Sequence, residues 1–170
     1  MLDSSERPQC TSCDRRPSTR ECGMCASALC KACTQFLDAE TFSFYAKIPL
    51  DLSHAAYCDS CFASIVQPAR EELSDDLRRA QDIVVFTVNQ RRHLTMTVSK
   101  ERLEVKNCKD RNEAFLRLAY FAVKSGRNSL VQVDVYSTKV RDGAYQSSLW
   151  HGSGYAADVD LGKLERRSES

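Results

Sequence analysis

The chain has no uninterrupted apolar run approaching the roughly 20 residues that a bilayer span requires. Its first ten residues, MLDSSERPQC, lack the apolar stretch of a secretory leader. These absences predict a cytoplasmic protein. Charge of either sign in excess is also missing: 24 Lys and Arg stand against 23 Asp and Glu, a net +1 at pH 7. So small an imbalance exerts no pull toward a polyphosphate, and nucleic acid is not an expected partner. Histidine is scarce, and His54, His93 and His151 lie far apart. An isolated imidazole falls short of the ligand count of a metal site, so all three are read as packing or surface residues. Neither a nucleophile–base pair nor a catalytic carboxylate pair is recognisable, and no enzymatic activity is expected. The lone tryptophan, Trp150, begins WHGSGYA. Those glycines lack the lysine and the strand-to-helix setting of a phosphate loop, and predict a bend or bulge within a strand.

Cysteine, by contrast, is plentiful. Eight of nine lie between residues 10 and 61, all as Cys-x-x-Cys pairs: Cys10/Cys13, Cys22/Cys25, Cys30/Cys33 and Cys58/Cys61. Where thiols are kept reduced, such clusters hold metal rather than disulfides. Each pair presents two sulfurs to one ion, and zinc is satisfied by four thiolates in a tetrahedron, so four pairs predict two structural zinc ions. Thiol redox chemistry needs one such pair at a helix start in a βαβ setting, which is absent. Iron–sulfur clusters use tighter or different runs. Spacing leaves the sharing open: successive pairs could form two ribbons in a row, or alternate pairs could interleave as a cross-brace. Cys108 stands alone and is read as inert.

The intervals between pairs are eight, four and twenty-four residues. A short middle interval with a long last one, and a closing segment YCDSCFASIV leading into a helix, resemble the FYVE family of zinc domains. That resemblance implies a cross-brace, with one zinc on Cys10, Cys13, Cys30 and Cys33 and the other on Cys22, Cys25, Cys58 and Cys61. The family's membership also suggests phosphatidylinositol 3-phosphate as a ligand. Here the corresponding segment, DRRPSTRE, has no histidine pair and no apolar tip for a bilayer. Arg15, Arg16 and Arg20 remain as candidates for contact with an anion or a partner. Each all-thiolate site carries a formal charge of about minus two, which opposes anion binding. FYVE-related domains without the lipid motif often bind proteins, so a protein partner is expected. A phosphoinositide-bearing membrane is the alternative, and an E3-type ubiquitin ligase, another use of cross-braced zinc, is a third reading.

Between the last two pairs lie Phe36, Phe42, Phe44, Tyr45, Ile48, Leu50 and Leu52. Most should pack on the metal core, with Phe42 and Phe44 sharing a face if the segment is extended; others are left for an exposed patch. Pro68 marks a helix start, and Ala69 to Gln81 carries a narrow stripe of Leu73, Leu77 and Ala80. From Ile83 the pattern alternates: DIVVFTVN, HLTMTVS and RLEVK read as strands, the first two joined at Gln90–Arg92. DRNEAFLRLAYFAVKSG reads as a helix capped by Asp110 and Glu113 and ended by Gly126, with Phe115, Leu118, Ala119 and Ala122 toward a sheet. SLVQVDVYSTKV and AYQSSLWHGSGYAADVDL follow as strands about a turn at Asp142–Gly143. The helix-to-end region also resembles the bacterial YbjQ-type family, labelled heavy-metal-binding and known for ring oligomers. That implies a fold and self-association but no activity. The expected whole is α+β: a two-zinc cross-brace module over 8–66, a connector helix over 67–82, and an α+β sandwich with a mostly antiparallel sheet over 83–165.

Overall fold

The computed structural model describes residues 8–89, 96–160 and 162. The chain divides into two compact units between Ser74 and Asp75. His93 and the Gln90–Arg92 joint lie outside the described residues.

The first unit has little regular structure. Strand β1 (Arg20–Glu21) pairs antiparallel with β2 (Ala28–Leu29), and β3 (Gln35–Phe36) with β4 (Ala56–Tyr57). Single 3-10 turns occupy Lys31–Cys33 and Leu50–Leu52. Leu29, Phe42, Tyr57 and Val66 are essentially fully buried. Leu37, Leu52 and Leu73 are buried as well, but the core is still small for a unit of this length, which is the condition under which small domains rely on metal. Residues 39–47 form turns rather than an extended strand. Phe42 and Phe44 therefore do not share a face: Phe42 is buried and Phe44 half-buried. The Tyr57 hydroxyl ties this segment down, donating to the Asp51 carbonyl at 2.8 Å and accepting from the His54 N–H at 3.2 Å.

Helical structure begins earlier than Pro68. Helix α1 (Asp59–Cys61) passes through a widened turn (Phe62–Val66) into α2 (Gln67–Gln81). In that turn the Gln67 N–H reaches back five residues to the Phe62 carbonyl. The extra residue relieves the clash a proline ring imposes on the preceding turn, so Pro68 sits inside helical structure instead of starting it. On α2, Leu73, Asp76 and Ala80 are buried, while Leu77 is half-buried. Asp76 belongs to the second unit, where its carboxylate meets Lys124 at 3.1 Å and Arg79 at 3.4 Å.

The second unit is an α+β layer pair. Its sheet has the order β5 (Val84–Thr87), β7 (Ser129–Asp142), β8 (Tyr145–Val159), β6 (Met96–Cys108). β5 and β7 run parallel, and the other neighbours antiparallel. The residues expected as two strands around Ser99 to Arg102 form one long β6, with a register shift between Val98 and Arg102 accommodating the irregular stretch. Consecutive strands β5 and β6 lie at opposite edges.

Helix α3 (Arg111–Lys124) covers one face. Asp110 caps it by accepting the Glu113 N–H at 2.7 Å, and the Glu113 carboxylate returns to the Lys109 N–H at 2.8 Å. At the far end the Arg127 N–H bonds the Ala122 carbonyl and the Gly126 N–H bonds that of Val123, with Gly126 at φ 73°. This is the paired closure that glycine permits after a helix. Ala114, Leu118, Ala119 and Ala122 are buried; Phe115 is only half-buried, beneath the Arg111 guanidinium at 5.1 Å.

The glycines of WHGSGYA make room for close neighbours, Gly152 for the helix and Gly154 for the adjacent strand. A Cβ on Gly152 would lie 3.0 Å from the Leu118 Cδ1, and one on Gly154 3.0 Å from the Val133 Cγ2. The register shift falls on β7, between Val131 and Asp134, where Gln132 takes φ 52°. The bulge is thus on the neighbour of the glycine strand, and Gly154 leaves room for it. The other face carries Phe86, Val131, Ala157 and Val159, all buried, with Tyr155 packed on them. The turn between β7 and β8 centres on Gly143 and Ala144, one residue later than expected, with Gly143 at φ 58°. Beyond Val133 and before Trp150, β7 and β8 pair only with each other among the described residues. One face of this ribbon bears Tyr136, Thr138, Val140, Asp142, Tyr145, Ser147 and Leu149; the other bears Ser137, Lys139, Arg141, Gln146 and Ser148.

Candidate metal centres

Each centre is built from turns that aim two sulfurs inward. In the first two pairs the chain reverses after the second cysteine: the Asp14 N–H bonds the Cys10 carbonyl at 2.8 Å, and the Ala26 N–H that of Cys22 at 2.9 Å. Both closing residues are left-handed, Asp14 at φ 50° and Ala26 at φ 56°. Asp tolerates that conformation better than Ala, so the Ala26 position carries backbone strain. The third pair sits on the 3-10 turn ending at Cys33, and the fourth at the start of α1, where the Cys61 N–H points at the Cys58 Sγ.

The eight sulfurs form two groups. Cys10, Cys13, Cys30 and Cys33 make one; Cys22, Cys25, Cys58 and Cys61 the other, with all Sγ atoms of a group within 4.8 Å of one another. A zinc–sulfur distance of about 2.3 Å sets a tetrahedron edge of about 3.8 Å. Across pairs, the Cys13 and Cys30 sulfurs are 3.9 Å apart and those of Cys25 and Cys58 3.8 Å apart. The donor chemistry and the spacing therefore fit two zinc ions per chain. Cys10, Cys22, Cys30 and Cys58 are buried, which would shield a bound ion from water.

The thiols also show what a dication would relieve. A backbone hydrogen bond from Cys30, against the cost of burial, draws the Cys10 thiol down to about 6. Cys33, beside the Cys30 and Cys13 sulfurs, is pushed up to about 12. In the second group burial raises Cys22 and Cys58, but hydrogen bonds outweigh it and both end below the ordinary thiol value. The Ser27 hydroxyl, 3.0 Å from Cys25, lowers that thiol as well. Cys61, beside Cys58, is pushed up to about 12. Each group thus contains at least one thiol that is lowered and one that its neighbours raise; a bound cation stabilises all four as thiolates.

Several supporting residues had no strong signal in the sequence. Gly23 is one: a Cβ there would lie 2.3 Å from the His54 ring. The Gly23 N–H bonds the Ala56 carbonyl at 2.9 Å, clamping the second pair against β4. His54 is a packing residue, its ring edge-on to Tyr57 at 6.0 Å. Ser27 and Ser60, each two residues after a cysteine, sit 3.0 Å from Cys25 and 3.2 Å from Cys58. Arg15 and Arg16 lie exposed in the first loop, whereas Arg20, on β1, stacks over Phe36 at 5.1 Å. In the second unit, His151 stacks on Tyr136 at 5.3 Å and meets the Thr138 hydroxyl at 2.9 Å. Cys108 is buried, and burial raises its thiol. No helix among the described residues is long and apolar enough to cross a membrane. No protein-family model, curated protein or solved structure matches the chain.

Proposed function

We propose that the chain is a non-enzymatic protein-interaction adaptor, in which a FYVE-like two-zinc module presents a docking surface and the α+β domain supports it or self-associates. Four thiolates complete each zinc's coordination and leave no open position for a substrate, the arrangement of structural rather than catalytic zinc. The observation that carries the reading is the pairing of Arg20 with Phe36, a residue that remains 52% exposed. An exposed aromatic under a guanidinium, on a module with so little core to spare, is the composition of an interface hot spot. Leu50, 84% exposed, adds to it. The ribbon of the α+β domain supports self-association, since Tyr136, Val140 and Tyr145 are exposed there. Nine unbridged cysteines suit the reducing cytoplasm.

Affinity capture by the zinc-loaded full chain tests the reading. A protein retained by wild type should be lost from Phe36→Ala and Arg20→Ala chains that still hold two zinc ions. Equal capture by all three refutes the assigned surface. Arg15, Arg16 and Arg20 also support a second reading, a phosphoinositide headgroup. Sedimentation with vesicles containing phosphatidylinositol 3-phosphate tests that one, and autoubiquitination with a conjugating enzyme tests the ligase reading. Native mass spectrometry reads zinc content and chain count from the same ions.

A further inference from the structure

The segment between Cys33 and Cys58 does more than cover the metal core. It folds around a cleft of about 200 Å³ lined chiefly by Leu37, Ala39, Phe42, Ile48, Leu52 and His54. Phe42, Leu52 and Leu37 are already buried, so the cleft is floored by fixed side chains rather than loose ones. The Tyr57–Asp51 hydrogen bond closes the segment from behind, and each end is a cysteine of a different metal group. The cleft is therefore preformed, and its walls are held by both centres.

Size selects the class of occupant. Pockets for drug-sized molecules run from about 300 to 1,000 Å³; this one is smaller and suits a single apolar side chain entering from a longer chain. Charge selects what flanks that side chain. Residues 37–55 carry Asp38, Glu40 and Asp51 against Lys47 alone. Asp38 lines the cleft, and its carboxylate is fixed by the Glu40 N–H at 2.8 Å. Each four-thiolate zinc site adds a formal charge of about minus two nearby in the chain.

We infer that the cleft docks a protein segment in which one aliphatic side chain is flanked by lysines or arginines. This rests on the adaptor reading and names the partner's chemistry at a surface apart from Phe36. The aliphatic group enters among Phe42, Leu52 and Leu37, while the flanking cations face Asp38 and its acidic neighbours. An anionic segment is repelled by the same carboxylates.

The test is an amide-shift titration of the zinc-loaded full chain with three short peptides. One has a central leucine between lysines, one replaces that leucine with serine, and one replaces the lysines with glutamates. The expected result is saturable shifts at Phe42, Leu52 and His54 with the first peptide only. Ala39→Trp, which places a ring at the cleft mouth, should weaken that binding tenfold or more, and Asp38→Asn several-fold. Both changes are at exposed positions, and zinc content confirms that each variant is folded. Absence of saturable shifts overturns the inference, as does equal binding of the glutamate peptide or binding that Ala39→Trp leaves unchanged. Should the cleft fail while capture still depends on Phe36 and Arg20, the adaptor reading stands without it. If the cleft binds but capture ignores Phe36, the surface assigned to Phe36 falls instead.

Discussion

Pairwise removal of cysteines distinguishes the interleaved arrangement from two zinc sites in succession. Serine at Cys10, Cys13, Cys30 and Cys33 removes one whole group and leaves the other's four ligands in place. Serine at Cys10, Cys13, Cys22 and Cys25 deletes the same number of thiols but leaves each group with two. The distances make the expectation sharp, because the 3.9 Å and 3.8 Å edges join first to third and second to fourth pairs. A four-thiolate site contributes about 10–16 kcal/mol of binding free energy, which is folding free energy in a small metal domain. That is comparable to the roughly 5–15 kcal/mol net stability of an ordinary domain, and a two-thiolate remnant retains little of it. After challenge with a moderate chelator, native mass spectrometry should find one zinc on the first variant and none on the second. The reverse pattern would mean successive sites and would refute the interleaved grouping. Full chelation of wild type should abolish amide-exchange protection around Leu29 and Tyr57 while α3 stays protected.

Three further outcomes follow from single contacts. Leu118→Ala, at a fully buried position beneath Gly152, should cost about 2–5 kcal/mol and lower the melting temperature of the second unit without changing zinc content. Gly23→Ala should cost about 1–3 kcal/mol by overpacking against His54, and much of that should return in a Gly23→Ala/His54→Ala double variant, as thermal melts in a double-mutant cycle would read. Cys108 should resist alkylation in the native protein. Because burial raises its thiol above the ordinary value of 9.0, the unfolded chain loses that proton first as pH rises. Its contribution is therefore complete below about pH 9 and declines above it, so Cys108→Ala should flatten the alkaline fall in stability measured by denaturant titration.

What could be read from the chain alone were features with a local cause. Alternation of side chains marked β7 and β8, and Asp110, Glu113 and Gly126 marked α3, because caps and strand faces depend on neighbours a few residues away. Four Cys-x-x-Cys pairs specified enough thiolate for two zinc ions by the same local logic, since one turn aims both sulfurs of a pair. Pro68 misled because its usual meaning assumes a regular preceding turn, and the widened turn at Phe62–Val66 removed that assumption. The shared face of Phe42 and Phe44, conditional on an extended chain, did not arise because residues 39–47 turn instead.

The tertiary structure decided everything that depends on which distant segments meet. Spacing by itself left successive and interleaved sharing both open, and only the FYVE resemblance pointed to the interleaved one; the grouping of Cys10 and Cys13 with Cys30 and Cys33, and of Cys22 and Cys25 with Cys58 and Cys61, is a statement about crossing loops. So is the parallel placement of β5 beside β7, the bulge at Gln132 facing Gly154, and Asp76 buried against Lys124. A pair of sulfurs, a cap or a strand face is set by torsions within a few residues. A shared metal, a strand order or a buried ion pair is set by free energies between residues tens of positions apart, which no local pattern encodes.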